Sequence, residues 1–187
     1  QLSEQGYQIF LDLKMNDIPN TVYNGAKALA RLGITYTTVH ALGGSQMIKA
    51  AKDGLIARTP INKDVPKLLA VTELTSISDE VLHDEQNCNL SMNDQVLSLA
   101  TMAKKAGADG VICSPLEVKN LRQKVGEDFL YVTPGIRPAG NAKDDQSRVA
   151  TPLQAKEWGS TAIVVGRPIT LATDPEAAYE AIKKEFN

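Results

Sequence analysis

Asp12, Lys14 and Asp17 fall within six positions of one another in the stretch LDLKMNDIP (11 to 19), beside the apolar run of Ile9, Phe10, Leu11 and Leu13. Three ionised groups at the edge of a run suited to a protein interior call for a chemical reason. On a strand, residues two apart point to the same face, so Asp12 and Lys14 are expected on one side of a sheet. A lysine flanked by carboxylates is held as an ammonium, because opposite charge nearby favours the ionised form. It is then a fixed proton donor. Such a group suits a reaction that generates a carbanion: carboxylates disfavour a negative ground state beside them, and the ammonium stabilises and then quenches the new charge. The plainer alternative for Asp12 and Lys14 is a satisfied ion pair at a strand mouth. Asp17, in the turn before a helix, is equally placed to complement the helix dipole.

The elements that must carry these groups alternate. Strand-like runs occur at 8 to 13, 35 to 40, 67 to 72, 109 to 113, 129 to 133 and 161 to 165, each followed by a stretch with helical spacing. Examples of that spacing are Val22, Ala26, Leu29 and Ala30, and Val96, Leu99, Ala100 and Ala103. Helices ending RLG, KAG and EWG close on the glycine that a left-handed C-cap favours. Regular β-α alternation implies a parallel sheet covered by helices, either an open doubly wound sheet or a (β/α)8 barrel. No GxGxxG turn follows the first strand and no P-loop occurs, so the barrel is preferred. A TIM-type (β/α)8 barrel takes about 250 residues. The 187 residues here are therefore expected to form one domain, 1 to 187, an N-terminally incomplete barrel with about six βα units present and the first two missing.

In such barrels the chemistry lies at the C-terminal ends of the strands, and the loops after strands seven and eight often hold phosphate. The fifth and sixth strands here would be those two. They end TPGIR (133 to 137) and VVGRPIT (164 to 170), each with an arginine just past a glycine. Gly135 and Gly166 permit close approach of the backbone to an anion, and the guanidinium of Arg137 or Arg167 can take two phosphate oxygens at once. Solvated loop arginines are the alternative. Between these strands, residues 134 to 152 form a connection far longer than the roughly 2 to 6 residues usual for a βα loop. Gln146 and Arg148 stand late in it, where a closing lid could add donors to a phosphate and exclude water; a disordered insertion is the other possibility.

Composition narrows the partners. With 43% hydrophobic and 22% charged residues the chain has ordinary globular proportions. A net charge of -2, no Lys/Arg run and 5% aromatic residues give no footprint for nucleic acid or a membrane surface, so a small-molecule partner is expected. The longest apolar runs fall far short of the roughly 20 residues that cross a bilayer, and the first residues do not read as a signal peptide. Cys88 and Cys113 are too few for a disulfide framework or a zinc site, which suggests a reducing compartment, the cytoplasm. His40 at a strand end is expected to be a hydrogen-bonded supporting group, His83 to be solvated, Trp158 to pack a helix and Cys113 to be buried.

The blocks FLDLKMNDIP, VHALGG (39 to 44), VTELTS (71 to 76), TPGIR, DQSRVATP (145 to 152) and VVGRPIT, in this order and over essentially the whole chain, closely resemble the bacterial orotidine 5'-phosphate decarboxylases. The resemblance implies a homodimeric barrel that converts orotidine 5'-phosphate to UMP with neither metal nor organic cofactor. It implies that Lys14 protonates C6 of the pyrimidine beside Asp12. Asp17, with Ile18 and Thr21, would reach across the dimer interface into the neighbouring site. Thr75 would contact the pyrimidine edge with Ser76 next to it, Pro134 would lie by the base, and Arg137, Gln146, Gly166 and Arg167 would bind phosphate. The family's first two strands supply a ribose-binding Asp and a network Lys, and nothing before Gln8 matches them. The expectation is a member lacking its N-terminal portion, poorly active or inactive alone. The alternatives are a magnesium-dependent sugar-phosphate decarboxylase of the same superfamily, such as one acting on 3-keto-L-gulonate 6-phosphate, and an inactive truncated barrel.

Overall fold

The computed structural model describes residues 2–138 and 149–187. Six strands, β1 (Phe10–Met15), β2 (Tyr36–His40), β3 (Lys67–Val71), β4 (Gly110–Ile112), β5 (Leu130–Thr133) and β6 (Ala162–Ile163), are hydrogen-bonded in sequence order. The pairs β1/β2, β2/β3 and β5/β6 are parallel. Parallel neighbours need crossovers, and helices supply them: α1 (Pro19–Leu29), α2 (Gly44–Arg58), α3 (Met92–Lys105), α4 (Pro115–Val125) and α5 (Pro152–Glu157), followed by α6 (Arg167–Thr170) and α7 (Pro175–Phe186). The fold is α/β, as the alternation implies. All six strands fall within two residues of where the sequence places them: β1 begins and ends two residues later than expected, and β4 and β6 are shorter. Backbone pairing continues for one residue beyond β6, where the Val164 N–H donates to the Thr133 carbonyl at 2.9 Å.

Two compact units are distinguished, Gln1–Thr72 with Ser98–Val111, and Glu73–Leu97 with Ile112–Asn187. In the first, α1 and α2 pack closely because α2 carries Gly54 at the contact: a Cβ there would lie 2.4 Å from the Tyr23 carbonyl oxygen. Val22 and Ala26 of α1 and Ile48, Ala51 and Leu55 of α2 are buried, with Val39, Leu68 and Ala70 from the strands. On β3 the buried run Leu68, Leu69, Ala70 and Val71 is what a helix-covered parallel sheet requires, whereas β2 buries two threonines, Thr37 and Thr38, beside Val39. Gly107 and Gly159, the glycines of KAG and EWG, stand just past α3 and α5 with positive φ (94° and 93°), as left-handed helix ends require. Gly33 of RLG also has positive φ (66°), but α1 ends earlier, with Ala30 as its C-cap, so this glycine turns the connection to β2 instead of closing the helix.

In the second unit Tyr131 is fully buried on β5, edge-on to Phe129 at 5.9 Å between ring centroids, with its hydroxyl 2.7 Å from the Gly126 carbonyl and 3.2 Å from that of Leu121. Burial, reinforced by nearby Cys113 and Asp128 against the opposing Arg122, pushes its phenol up from 10.0 to about 12. The unfolded chain therefore ionises first as pH rises. This contribution to stability is complete below about pH 10 and is lost progressively toward about pH 12. Urea midpoints measured across that interval should fall more steeply for the natural chain than for Tyr131→Phe. Equal slopes would show that Tyr131 does not govern the alkaline limb. Cys113 is buried and His83 exposed, as expected. Among the described residues, no helix is long and apolar enough to cross a membrane.

Candidate active site

In the first unit, the chemistry sits on an interrupted strand. Leu11 pairs with Thr37 and Met15 with Val39, so β1 spends three residues, 12 to 14, opposite the single residue Thr38. The regular pleat expected from the sequence does not run through Asp12 and Lys14. They meet because the strand bulges, and Lys14 takes a left-handed φ of 49°. Lysine gains nothing from that conformation, and its cost must be met by surrounding contacts. The Lys14 ammonium donates to Asp12 Oδ2. Thr38 Oγ1 donates to Asp12 Oδ1 at 2.7 Å and accepts the Lys14 N–H at 2.8 Å. Both Asp12 oxygens are thereby engaged, while the Asp12 and Lys14 side chains each keep 39% of their surface open to solvent. A half-open ammonium held on a fixed carboxylate can meet a ligand and deliver a proton to it.

Asp17 lies just before α1, where its carboxylate accepts the Ile18 N–H at 2.6 Å. Ile18 is the N-cap residue and supplies no side-chain cap, so the negative charge of Asp17 faces the helix start, where the dipole favours it. Asp17, Ile18 and Thr21 are all exposed, Ile18 at 67%. An isoleucine that open at a helix start is available to a partner surface.

In the second unit, the segment after β3 is anchored by Glu73, which is 2% exposed. Its carboxylate accepts from the side-chain amides of Gln86 at 3.3 Å and Gln95 at 3.1 Å. Two residues on, Thr75 is buried and Ser76 exposed. After β5, Gly135 turns with φ 78° and Ile136 forms an isolated parallel bridge to Ala150. The Arg137 N–H donates to the Ala150 carbonyl at 2.9 Å and the Ala150 N–H to that of Gly135 at 3.1 Å, closing the base of the long connection. Pro134 is partly exposed. Arg137 is 9% exposed, with Nη1 donating to the Ile136 carbonyl at 2.9 Å. Gly166 precedes α6, whose first residue is the exposed Arg167. A Cβ at Gly166 would meet no atom within 4 Å, leaving open space beside that backbone. Arg137 and Arg167 line one cleft of about 500 Å³, floored by Ile182 and other residues of α7. Two guanidinium groups in one cleft suit a dianion. Gln146 and Arg148 lie outside the described residues.

A family model described as "Orotidine 5'-phosphate decarboxylase / HUMPS family" matches residues 1–182. The chain belongs to that family. Over 187 residues it is 96% identical to an orotidine 5'-phosphate decarboxylase of Lactobacillus johnsonii, covering all of this chain and 80% of that protein. A crystal structure of the orotidine 5'-phosphate decarboxylase from Lactobacillus acidophilus aligns with a TM-score of 0.89 at 76% identity, covering 100% of this chain and 78% of the other. One from Pyrococcus horikoshii aligns at 0.74 and 26% identity, covering 99% of this chain and 76% of that one. The likeness to the orotidine 5'-phosphate decarboxylase / HUMPS family thus extends along nearly the whole chain.

Among the described residues, no three His, Cys, Asp or Glu side chains converge as metal ligands would. Three supporting features of this family member escape a sequence reading: Thr38, Glu73 and the Ile136–Ala150 bridge. Thr38 sits in TYTTVH, where threonine signals only a strand. Glu73, flanked by apolar and hydroxylated residues in VTELTS, could have been singled out as a charge entering the core with the strand it follows.

Proposed function

We propose that this chain decarboxylates orotidine 5'-phosphate to UMP, the closing step of de novo pyrimidine synthesis, and is a carboxy-lyase. The observation that carries the reading is an ammonium fixed on a carboxylate at a strand's C-terminal end, in a chain so similar to orotidine 5'-phosphate decarboxylases. The bond from C6 to the carboxylate carbon breaks, its electron pair stays on C6, and carbon dioxide departs. Lys14 Nζ gives its proton to C6 and is left as an amine to be reprotonated from water. Asp12 keeps that proton in place and opposes a substrate carboxylate nearby, which lowers the relative barrier to losing it.

Arg137, Arg167 and the backbone at Gly166, with Gln146, hold the phosphate. Binding energy spent there, away from the reacting carbon, offsets the cost of placing the carboxylate beside Asp12. Thr75 and Ser76 take the pyrimidine edge and Pro134 lies against the base. Asp17, Ile18 and Thr21 enter the neighbouring site of a homodimer, in keeping with their exposure. The working fold is a (β/α)8 barrel acting in the cytoplasm, with no metal and no organic cofactor in the reaction.

The test is direct. Orotidine 5'-phosphate should be converted to UMP, with the rate unchanged by a chelator. No turnover of it, together with turnover of a 3-keto sugar phosphate that stops on chelation, would overturn the assignment.

A further inference from the structure

We propose that Thr38 is a positioning residue for the Asp12–Lys14 pair, an inference that rests on the decarboxylase reading of that pair. A threonine hydroxyl offers one donor and two acceptor sites. Here the donor goes to the Asp12 side chain at 2.7 Å and an acceptor site to the Lys14 backbone at 2.8 Å, so the hydroxyl of one fully buried residue ties the carboxylate to the chain segment that carries the ammonium. The tie stands at the one β2 residue faced by three residues of β1, where the ladder itself cannot fix them. Lys14 adopts φ 49° at this place, a conformation that needs such an external hold. Removal of the hydroxyl frees the Lys14 N–H and Asp12 Oδ1 together, letting the bulge relax toward a regular pleat and drawing the ammonium off its carboxylate.

The neighbouring residue gives a matched control. Thr37 is equally buried on the same strand, yet among the described residues its hydroxyl makes no hydrogen bond. Valine keeps the shape and strand preference of threonine at both positions, so Thr37→Val and Thr38→Val differ chiefly in the tie that is lost.

Rates per folded site should separate the roles. Thr38→Val should lower kcat by roughly 10²-fold, the scale of a small misplacement of reacting groups, with KM within about threefold of the natural chain because ground-state binding is untouched. Thr38→Ser, which restores the hydroxyl, should recover kcat to within about threefold, and Thr37→Val should leave it unchanged. Exchange of the Lys14 amide with solvent should be slow in the natural chain and in Thr38→Ser, and fast in Thr38→Val. Natural kcat in Thr38→Val, or an equal loss in Thr38→Ser, overturns the assignment. Should Thr38→Val fail to fold, the Lys14 amide decides: protection in the natural chain and in Thr38→Ser supports the tie, and rapid exchange in the natural chain refutes it. If the natural chain does not turn over orotidine 5'-phosphate, the functional reading fails. The amide measurement still judges the tie.

Discussion

Lys14→Ala should lower kcat/KM for orotidine 5'-phosphate by about 10³-fold or more, since it removes a proton donor worth roughly 10² to 10⁴ and the charge that stabilises the carbanion. The loss should fall mainly on kcat, because the proton is transferred only after carbon dioxide begins to leave. An ammonium fixed on Asp12 is the group affected, so Lys14→Arg should also fail: a guanidinium does not release a proton at neutral pH. Stability should respond differently. Residue 14 sits at φ 49°, where a side chain costs roughly 1 to 2 kcal/mol and glycine escapes that cost. Lys14→Gly should therefore be inactive yet melt no lower than Lys14→Ala. Thermal denaturation of the two variants checks the strain, and steady-state kinetics checks the chemistry. A Lys14→Ala enzyme within tenfold of natural kcat/KM would remove this lysine from the mechanism.

The second large effect concerns phosphate. Arg167→Ala should reduce kcat/KM for orotidine 5'-phosphate by about 10²-fold, the worth of one or two charge-assisted hydrogen bonds after allowance for exposure. Arg167 is exposed, so the loss should come without a change in melting temperature. Arg137 is nearly buried and its Nη1 holds the Ile136 carbonyl beside the bridge to Ala150, so Arg137→Ala should lose stability as well as activity. The decisive comparison uses orotidine without its phosphate. If Arg167 acts through that group, its removal leaves the slow turnover of the truncated substrate within about twofold of the natural chain's. An equal loss on both substrates would assign Arg167 to something other than phosphate.

The strands of this fold are legible because each is a short apolar or β-branched run closed by turn residues. The buried positions of α1 and α3 follow because Val22 and Ala26, continued by the C-cap residue Ala30, and Val96, Leu99, Ala100 and Ala103 recur at helical spacing. The arginines at the ends of β5 and β6 are legible too, since position after a parallel strand alone marks a place for chemistry, and both line one cleft. The bulge is not. Three residues opposing one is a property of the pairing between β1 and β2, and no pattern within FLDLKM announces that its partner will advance more slowly. The sequence reading brings Asp12 and Lys14 together by alternation, whereas the contact arises from a break in alternation. Thr38 is hidden for the same reason: its role depends on register across the sheet, which periodicity along one strand does not encode. Glu73 and its two glutamine partners are separated by 13 and 22 residues, so their association emerges only once the loop after β3 is folded.

Exchange of the C6 hydrogen of UMP with deuterium, followed by proton NMR in heavy water, tests the central claim most directly. The group that delivers a proton to C6 must also be the group that removes it in reverse. The natural chain should catalyse the exchange and Lys14→Ala should not, although both bind UMP. Exchange at the natural rate in Lys14→Ala, with binding intact, would show that the proton reaches carbon by another route.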